Sequence, residues 1–123
     1  MTMDLAQEFA RCKDWIASAL EYADDTHDIE HIWEGVQEGR YQFWPGKQSA
    51  IITEFHVYPK KTSLHVFLAG GKLDELLDMW DSMEIYAKAT GCASLSVSGR
   101  KGWMRALESR GAKYLCTTVV KEL

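Results

Sequence analysis

The stretch LHVFLAGGKLDELLDMW, Leu64 to Trp80, constrains this chain more than any other. Its first six residues are aliphatic, aromatic or β-branched apart from one histidine, which suits a strand. Its second half places Leu73, Leu76, Leu77 and Trp80 at helical steps, and Met83 and Ala87 extend the pattern. Only Gly70 and Gly71 separate the two. A strand that passes so abruptly into an amphipathic helix must lay that helix back over its own sheet. The first amides of the helix are then left unpaired at the strand end, where they and the helix dipole favour an anion. The same residues also read as a tight turn and nothing more.

The rest of the chain alternates around this unit. Leu5, Phe9, Cys12, Ile16, Ala19, Leu20 and Ala23 form one apolar stripe, a helix of roughly five turns. ADDTHD interrupts it, and Thr26 or Asp25 is expected to cap a second helix with Ile29, Ile32, Trp33 and Val36 on one face and Gly39 as its stop. YQFWPG reads as a short strand ending in a turn at Pro45-Gly46. SAIITEFHVY and LHVFLA read as an antiparallel hairpin turned by PKKTS. In its first strand Ile51, Phe55 and Val57 share a face, while Ile52 and Tyr58 flank Glu54 and His56 on the other. In the second, Leu64, Val66 and Leu68 oppose His65, Phe67 and Ala69. Apolar residues on both faces predict a sheet covered on both sides. After Gly91, ASLSVS alternates as a strand, Lys101 to Arg110 makes a short helix burying Trp103, Ala106 and Leu107, and KYLCTTVV reads as a last strand. Strand-helix-strand units place their strands parallel through right-handed crossovers. The chain is therefore α/β, a mixed sheet with helices on both faces, in a single domain over residues 1–123.

Charge and cysteine content narrow the function classes. A net charge of −4 argues against broad binding to a nucleic-acid backbone, leaving only a local basic patch around Lys60-Lys61 or Arg100-Lys101, with Arg105 and Arg110. Three cysteines without a CxxC spacing read as reduced thiols of a cytoplasmic protein. The N-terminus lacks the apolar core of a signal peptide, and no apolar run approaches the ~20 residues of a membrane span, so no membrane role is expected. His27 and His31 share a helix face with Glu30 and Glu34, but the order is not H-E-x-x-H and no third ligand is evident, so no metal site is assigned. Trp33, Trp44, Trp80 and Trp103 read as core or half-buried packing residues, and Trp44, before Pro45, is the one expected to be exposed.

From about Tyr41 to Val120 this order and spacing resembles the GNAT acetyltransferase superfamily, in a small, degenerate, tailed-phage form. The two N-terminal helices fit the family's first helical pair. LHVFLA running through Gly70-Gly71, and GRKGWMRALESRGAKY, carry the likeness. The resemblance implies a GNAT-like fold in which the strand before the long helix splays from its parallel neighbour. The pantetheine arm of acetyl-CoA would lie there against Phe67, Leu68 and Ala69. Its phosphates would meet Gly70, Gly71, Lys72 and Leu73, with Arg100 or Lys101 near the nucleotide. Glu54 or His56 would take the proton of an incoming ammonium, directly or through water; the plainer reading keeps both as polar residues at a sheet edge.

The sequence also departs from the family. The usual Arg/Gln-x-x-Gly-x-Gly/Ala spacing is absent, and Asp74 and Glu75 would repel a nearby pyrophosphate. Arg100 stands where an Asn is common, and Leu107 where a Tyr commonly protonates the leaving thiolate. These losses favour a non-catalytic GNAT-like virion or adaptor protein, partnered by phage structural proteins inside a phage particle. The alternative is an acetyl-CoA-dependent N-acetyltransferase acting on an amine.

Overall fold

The central hairpin organises the molecule: β1 and β4 flank it in the sheet and the helices pack on its two faces. The computed structural model describes residues 3–123. In chain order it contains α1 (Leu5–Leu20), α2 (Ile29–Glu38), β1 (Gln42–Pro45), β2 (Ser49–Val57), β3 (Thr62–Gly71), α3 (Leu73–Ala89), β4 (Ser94–Val97) and α4 (Gly102–Glu108). The sheet runs β1-β2-β3-β4, antiparallel except for the parallel β3–β4 pair.

Two apolar layers cover the sheet, as the residues on both faces of the hairpin predict. On one face Phe9, Cys12 and Ile16 of α1 and Ile32 of α2 bury against Ala50, Ile52 and Leu68. On the other, Leu76, Trp80, Met83 and Ala87 of α3 and Leu107 of α4 bury against Ile51, Leu64 and Val66. Ile52 and Leu64 are fully buried, each contributing about 1.5–3 kcal/mol of apolar burial. A capping box starts α1: the Asp4 carboxylate accepts from the Gln7 amide at 2.8 Å and Gln7 Oε1 from the Asp4 amide at 3.0 Å.

The structure corrects the sequence in four places. Asp28, not Thr26 or Asp25, is the N-cap of α2. Asp24 and Asp25 take left-handed φ angles of 58° and 56°, and the Thr26 hydroxyl donates back to the Ala23 carbonyl, so the turn delays the helix. A β-bulge shifts the β2–β3 register between Ile52 and Thr53 and leaves Phe67 without a partner. One extra residue flips every later side chain. Leu68 and Phe67 therefore join the α1 layer, and Ala69 joins the α3 layer with Leu64 and Val66. Trp44 is half-buried in the α3 layer, and its indole N–H donates to the Thr53 hydroxyl at 3.0 Å. Finally, KYLCTTVV forms no strand: residues 113–123 are exposed and pair with nothing in the sheet. β-propensity prepares a segment for pairing but supplies no partner.

Candidate functional site at the β3–β4 junction

The parallel pairing of β3 and β4 covers only Ser63↔Ser94 to Val66↔Val97. β4 ends there, whereas β3 continues to Gly71, held along its other side by β2. From Phe67 onward, the side of β3 turned away from β2 has no strand beside it among the described residues. Beyond β4 the chain leaves through Ser98, Gly99 and Arg100 into α4. Trp15 of α1 meets the end of β3, and Tyr22, just after α1, meets the loop beyond β4. A Cβ on Gly70 would overlap the Trp15 carbonyl, while the Arg100 guanidinium lies 4.5 Å from the Tyr22 ring centroid and donates to its hydroxyl at 3.4 Å.

The two glycines are therefore explained by packing. Both lie inside β3, opposite Ala50 and Ser49. Gly70 admits the α1 backbone. Gly71, at φ 114°, sits against Gln48 and Ser49 where no side chain fits. The anion-favouring groups are the next residues. Lys72 is the N-cap of α3, and its own amide donates to the Gln48 carbonyl at 3.2 Å. The amides of Leu73 and Asp74 precede the first intrahelical bond, made by Leu76 to Lys72. Lys72, Leu73 and Asp74 are exposed. Glu75 turns away toward β2, accepting from the Ser49 hydroxyl and, at 3.0 Å, from the Gln48 amide; those bonds hold its carboxyl below the usual range. Of the two acids flagged in the sequence, only Asp74 therefore remains uncommitted near the exposed amides.

At the other end of the junction a polar chain crosses three strands. The Tyr58 hydroxyl lies 3.2 Å from His56 Nδ1, and His56 Nε2 lies 2.7 Å from Glu54 Oε1. The His56 and His65 rings stack with centroids 4.4 Å apart. His65 Nδ1 lies 2.8 Å from the Ser96 hydroxyl, which lies 3.2 Å from that of Ser63. Burial, then the neighbouring His56, push the His65 imidazole down to about 4, with Glu54 pulling weakly the other way. Phe67, the bulge residue, adjoins this chain. Its ring lies 5.8 Å from Tyr41 and 5.0 Å from His27, and the Tyr41 hydroxyl is 3.4 Å from His27 Nε2. Burial and the Glu54 charge raise the Tyr41 phenol, which keeps its proton at neutral pH.

The fold thus brings Glu54 and His56 together and sets Phe67, Leu68 and Ala69 along the open stretch of β3. Gly70 and Gly71 belong to the seam with α1 and β2, Lys72 and Leu73 to the exposed start of α3, and Arg100 to the far bank. His31 is spent on the α2 cap, accepting from the Asp28 amide at 2.9 Å. Tyr41, His27, Ser96 and Tyr58 join the junction without having been assigned to it from sequence. Ser96 alone carried a signal, the small polar face of ASLSVS, and its place opposite His65 depends on the β3–β4 register. Leu107 is buried under α3, so no proton donor stands there.

No protein-family model and no curated protein matches the chain. Solved structures do. A probable acetyltransferase aligns at TM-score 0.69 and 9% identity, over 98% of this chain and 97% of that one. An aminoglycoside acetyltransferase from an uncultured soil metagenomic sample, in complex with sisomicin, aligns at 0.64 and 11%, over 94% and 88%. The ribosomal-protein-alanine N-acetyltransferase of Brucella melitensis biovar Abortus 2308 aligns at 0.61 and 14%, over 96% and 93%. The fold of this chain is the GNAT-like mixed sheet. No described helix is long and apolar enough to cross a membrane.

Proposed function

We propose that this chain is an acetyl-CoA-dependent N-acetyltransferase acting on a primary amine. One observation carries the reading: in a GNAT-like fold, β3 outruns its parallel neighbour at Val66/Val97, beside the Glu54–His56 pair and the exposed start of α3. The open stretch fits an extended ligand with amides of its own, because the backbone of Phe67, Leu68 and Ala69 has no strand on that side. Lys72 and the amides of Leu73 and Asp74 suit its phosphates, and Glu75 is turned away onto Gln48 and Ser49. When bound, acetyl-CoA supplies an acyl group activated as a thioester.

The residues of the chain divide the remaining work. Glu54 accepts the proton of the incoming ammonium, with His56 holding its Oε1 in place. His65, neutral at physiological pH, fixes Ser96 and adds no charge to repel a cationic amine. Tyr41 holds a proton beside Phe67, the role for which Leu107 is unfit. The competing reading, a non-catalytic virion or adaptor component, draws on Leu107 and on the missing loop spacing.

Calorimetry and thermal shift with acetyl-CoA, followed by coupled detection of CoA thiol release, test the proposal. The amine panel should include an aminoglycoside and an alanine-terminated peptide, the acceptors named for two neighbours. Micromolar binding is expected, with stabilisation of about 2.7 kcal/mol at a hundredfold excess over Kd. Silence at millimolar ligand, with no thiol released, would return the protein to the adaptor class.

A further inference from the structure

The start of α3 is fastened without a side-chain cap of its own. Its N-cap is Lys72, which carries no acceptor and makes no side-chain cap bond. Glu75, three residues on, does not fold back on the Lys72 amide as a capping box would. Both groups go instead to Gln48, in the turn between β1 and β2. The Lys72 amide donates to the Gln48 carbonyl at 3.2 Å, and the Gln48 amide donates to Glu75 Oε1 at 3.0 Å. The Ser49 hydroxyl donates to the same oxygen. From α1, the Arg11 guanidinium donates to the Gly46 carbonyl at 2.8 Å and to the Lys47 carbonyl at 3.2 Å, and it pairs with Glu8 at 3.0 Å. A Cβ on Gly46 would overlap the Glu75 carboxylate and the Ser49 hydroxyl, so a side chain there would open this arrangement.

We infer that Arg11 and Glu75 are positioning residues: they clamp the 46–48 turn between α1 and α3, and the turn holds the start of α3 in place for the diphosphate of acetyl-CoA. The role rests on the function proposed above. A side-chain cap would stabilise the helix start by occupying its amides. Fastening through Gln48 secures the same start and leaves the amides of Leu73 and Asp74 free. A hairpin turn is ordinarily among the mobile parts of a sheet. Here the carbonyls of Gly46, Lys47 and Gln48 are all bonded to α1 or α3, so the turn is a fixed support. The clamp also carries the Glu75 charge toward β2. Arg11 and Glu75 are both part-exposed, so their bonds add little to global stability. Their loss is felt in the geometry of the α3 start.

Glu75→Gln and Glu75→Ala separate this role from a simple charge effect. Both remove the negative charge, but only glutamine keeps an acceptor for the Gln48 amide and the Ser49 hydroxyl. By calorimetry, Glu75→Ala and Arg11→Met should bind acetyl-CoA about 10-fold more weakly, and Glu75→Gln at least as tightly as the wild type. Affinity for S-acetylpantetheine, which has the thioester arm without the diphosphate, should be the same in all four proteins. Tm should fall by no more than about 4 °C. In ligand-free Glu75→Ala, hydrogen exchange at the Lys72 and Leu76 amides should quicken while the paired amides of β2 and β3 stay protected. Glu75→Ala binding acetyl-CoA as tightly as Glu75→Gln would overturn the inference. So would equal losses for acetyl-CoA and S-acetylpantetheine, or unchanged exchange at Lys72 and Leu76. A wild-type protein that binds neither ligand would defeat the proposed function itself, and this role with it.

Discussion

Along its β2 side β3 is paired from Thr62 to Gly71, with a bulge at Phe67; along its β4 side it is paired only from Ser63 to Val66. The closed side carries the packing that leaves no room: Gly70 against the α1 backbone, Gly71 against Gln48, Trp44 bonded to Thr53. The open side carries free backbone and the edge of β4, and the polar chain from Tyr58 to Ser63 runs over one face of the sheet from β2 to β4. One strand thus separates what holds the fold from what is available to a ligand. Substitutions on the closed side should read out in stability, and those on the open side in binding, turnover and pH dependence.

The largest effect is expected on the closed side. Gly70→Ala places a methyl group into the Trp15 carbonyl, and backbone cannot swing aside as a side chain can. Urea unfolding should show a loss of about 3 kcal/mol or more. A cost below about 1 kcal/mol would mean that the α1–β3 seam is looser than its geometry, and the contrast between the two sides would fail at its firmest point.

Glu54→Gln probes the polar chain that crosses from β2 to β4. It keeps a hydrogen-bond acceptor for His56 but cannot take a proton, so kcat/KM for the amine should fall about 100-fold. Stability should change by less than about 1 kcal/mol, since the pair is part-exposed. Equal turnover with an unchanged pH profile would remove Glu54 from the chemistry and leave the junction a binding surface.

His65 yields a smaller effect with a defined sign. The folded chain holds this imidazole at about 4, below its ordinary 6.5. The unfolded chain therefore binds the proton first as pH falls. Stability is level above about 6.5 and declines toward pH 4; partial exposure trims the total to about 1–2 kcal/mol. His65→Gln keeps a partner for Ser96 and should flatten that decline. A slope identical in the two proteins would assign it to other groups.

Much of this contrast was legible before any coordinates. The hairpin, the strand-Gly-Gly-helix unit, the parallel crossover and the two-sided sheet follow from periodicity and from glycine positions, because each is a local pattern. What escaped depends on register. Strict alternation put Leu68 with Leu64 and Val66, and one bulge residue, Phe67, undid that beyond the strand's midpoint. His65 and Ser96 meet only because β4 is parallel and pairs Ser96 with His65. The glycine pair reads from sequence as an anion cradle or as a tight turn; that its Cβ-less space is filled by Trp15 and Gln48 shows only in three dimensions. YLCTTVV reads as a strand from its composition, which describes what the segment can do; in the fold it leaves the β4 edge unpaired.

The smallest predicted change tests the far bank of the opening. Arg100 stacks on Tyr22, and both are exposed. Such a contact contributes about 0.5–1 kcal/mol at most, so Arg100→Ala should barely move Tm. In the function proposed above, the same guanidinium leaves Tyr22 for a nucleotide phosphate. Its loss should then weaken acetyl-CoA binding by about 5- to 10-fold, with a shallower salt dependence. Tyr22→Phe serves as the control: it removes the hydroxyl that accepts from Arg100, keeps the ring, and should leave binding unchanged. If Arg100→Ala costs stability but not affinity, Arg100 belongs with Gly70 among the groups that hold the fold, and the boundary between the two sides of β3 moves outward to the β4–α4 loop.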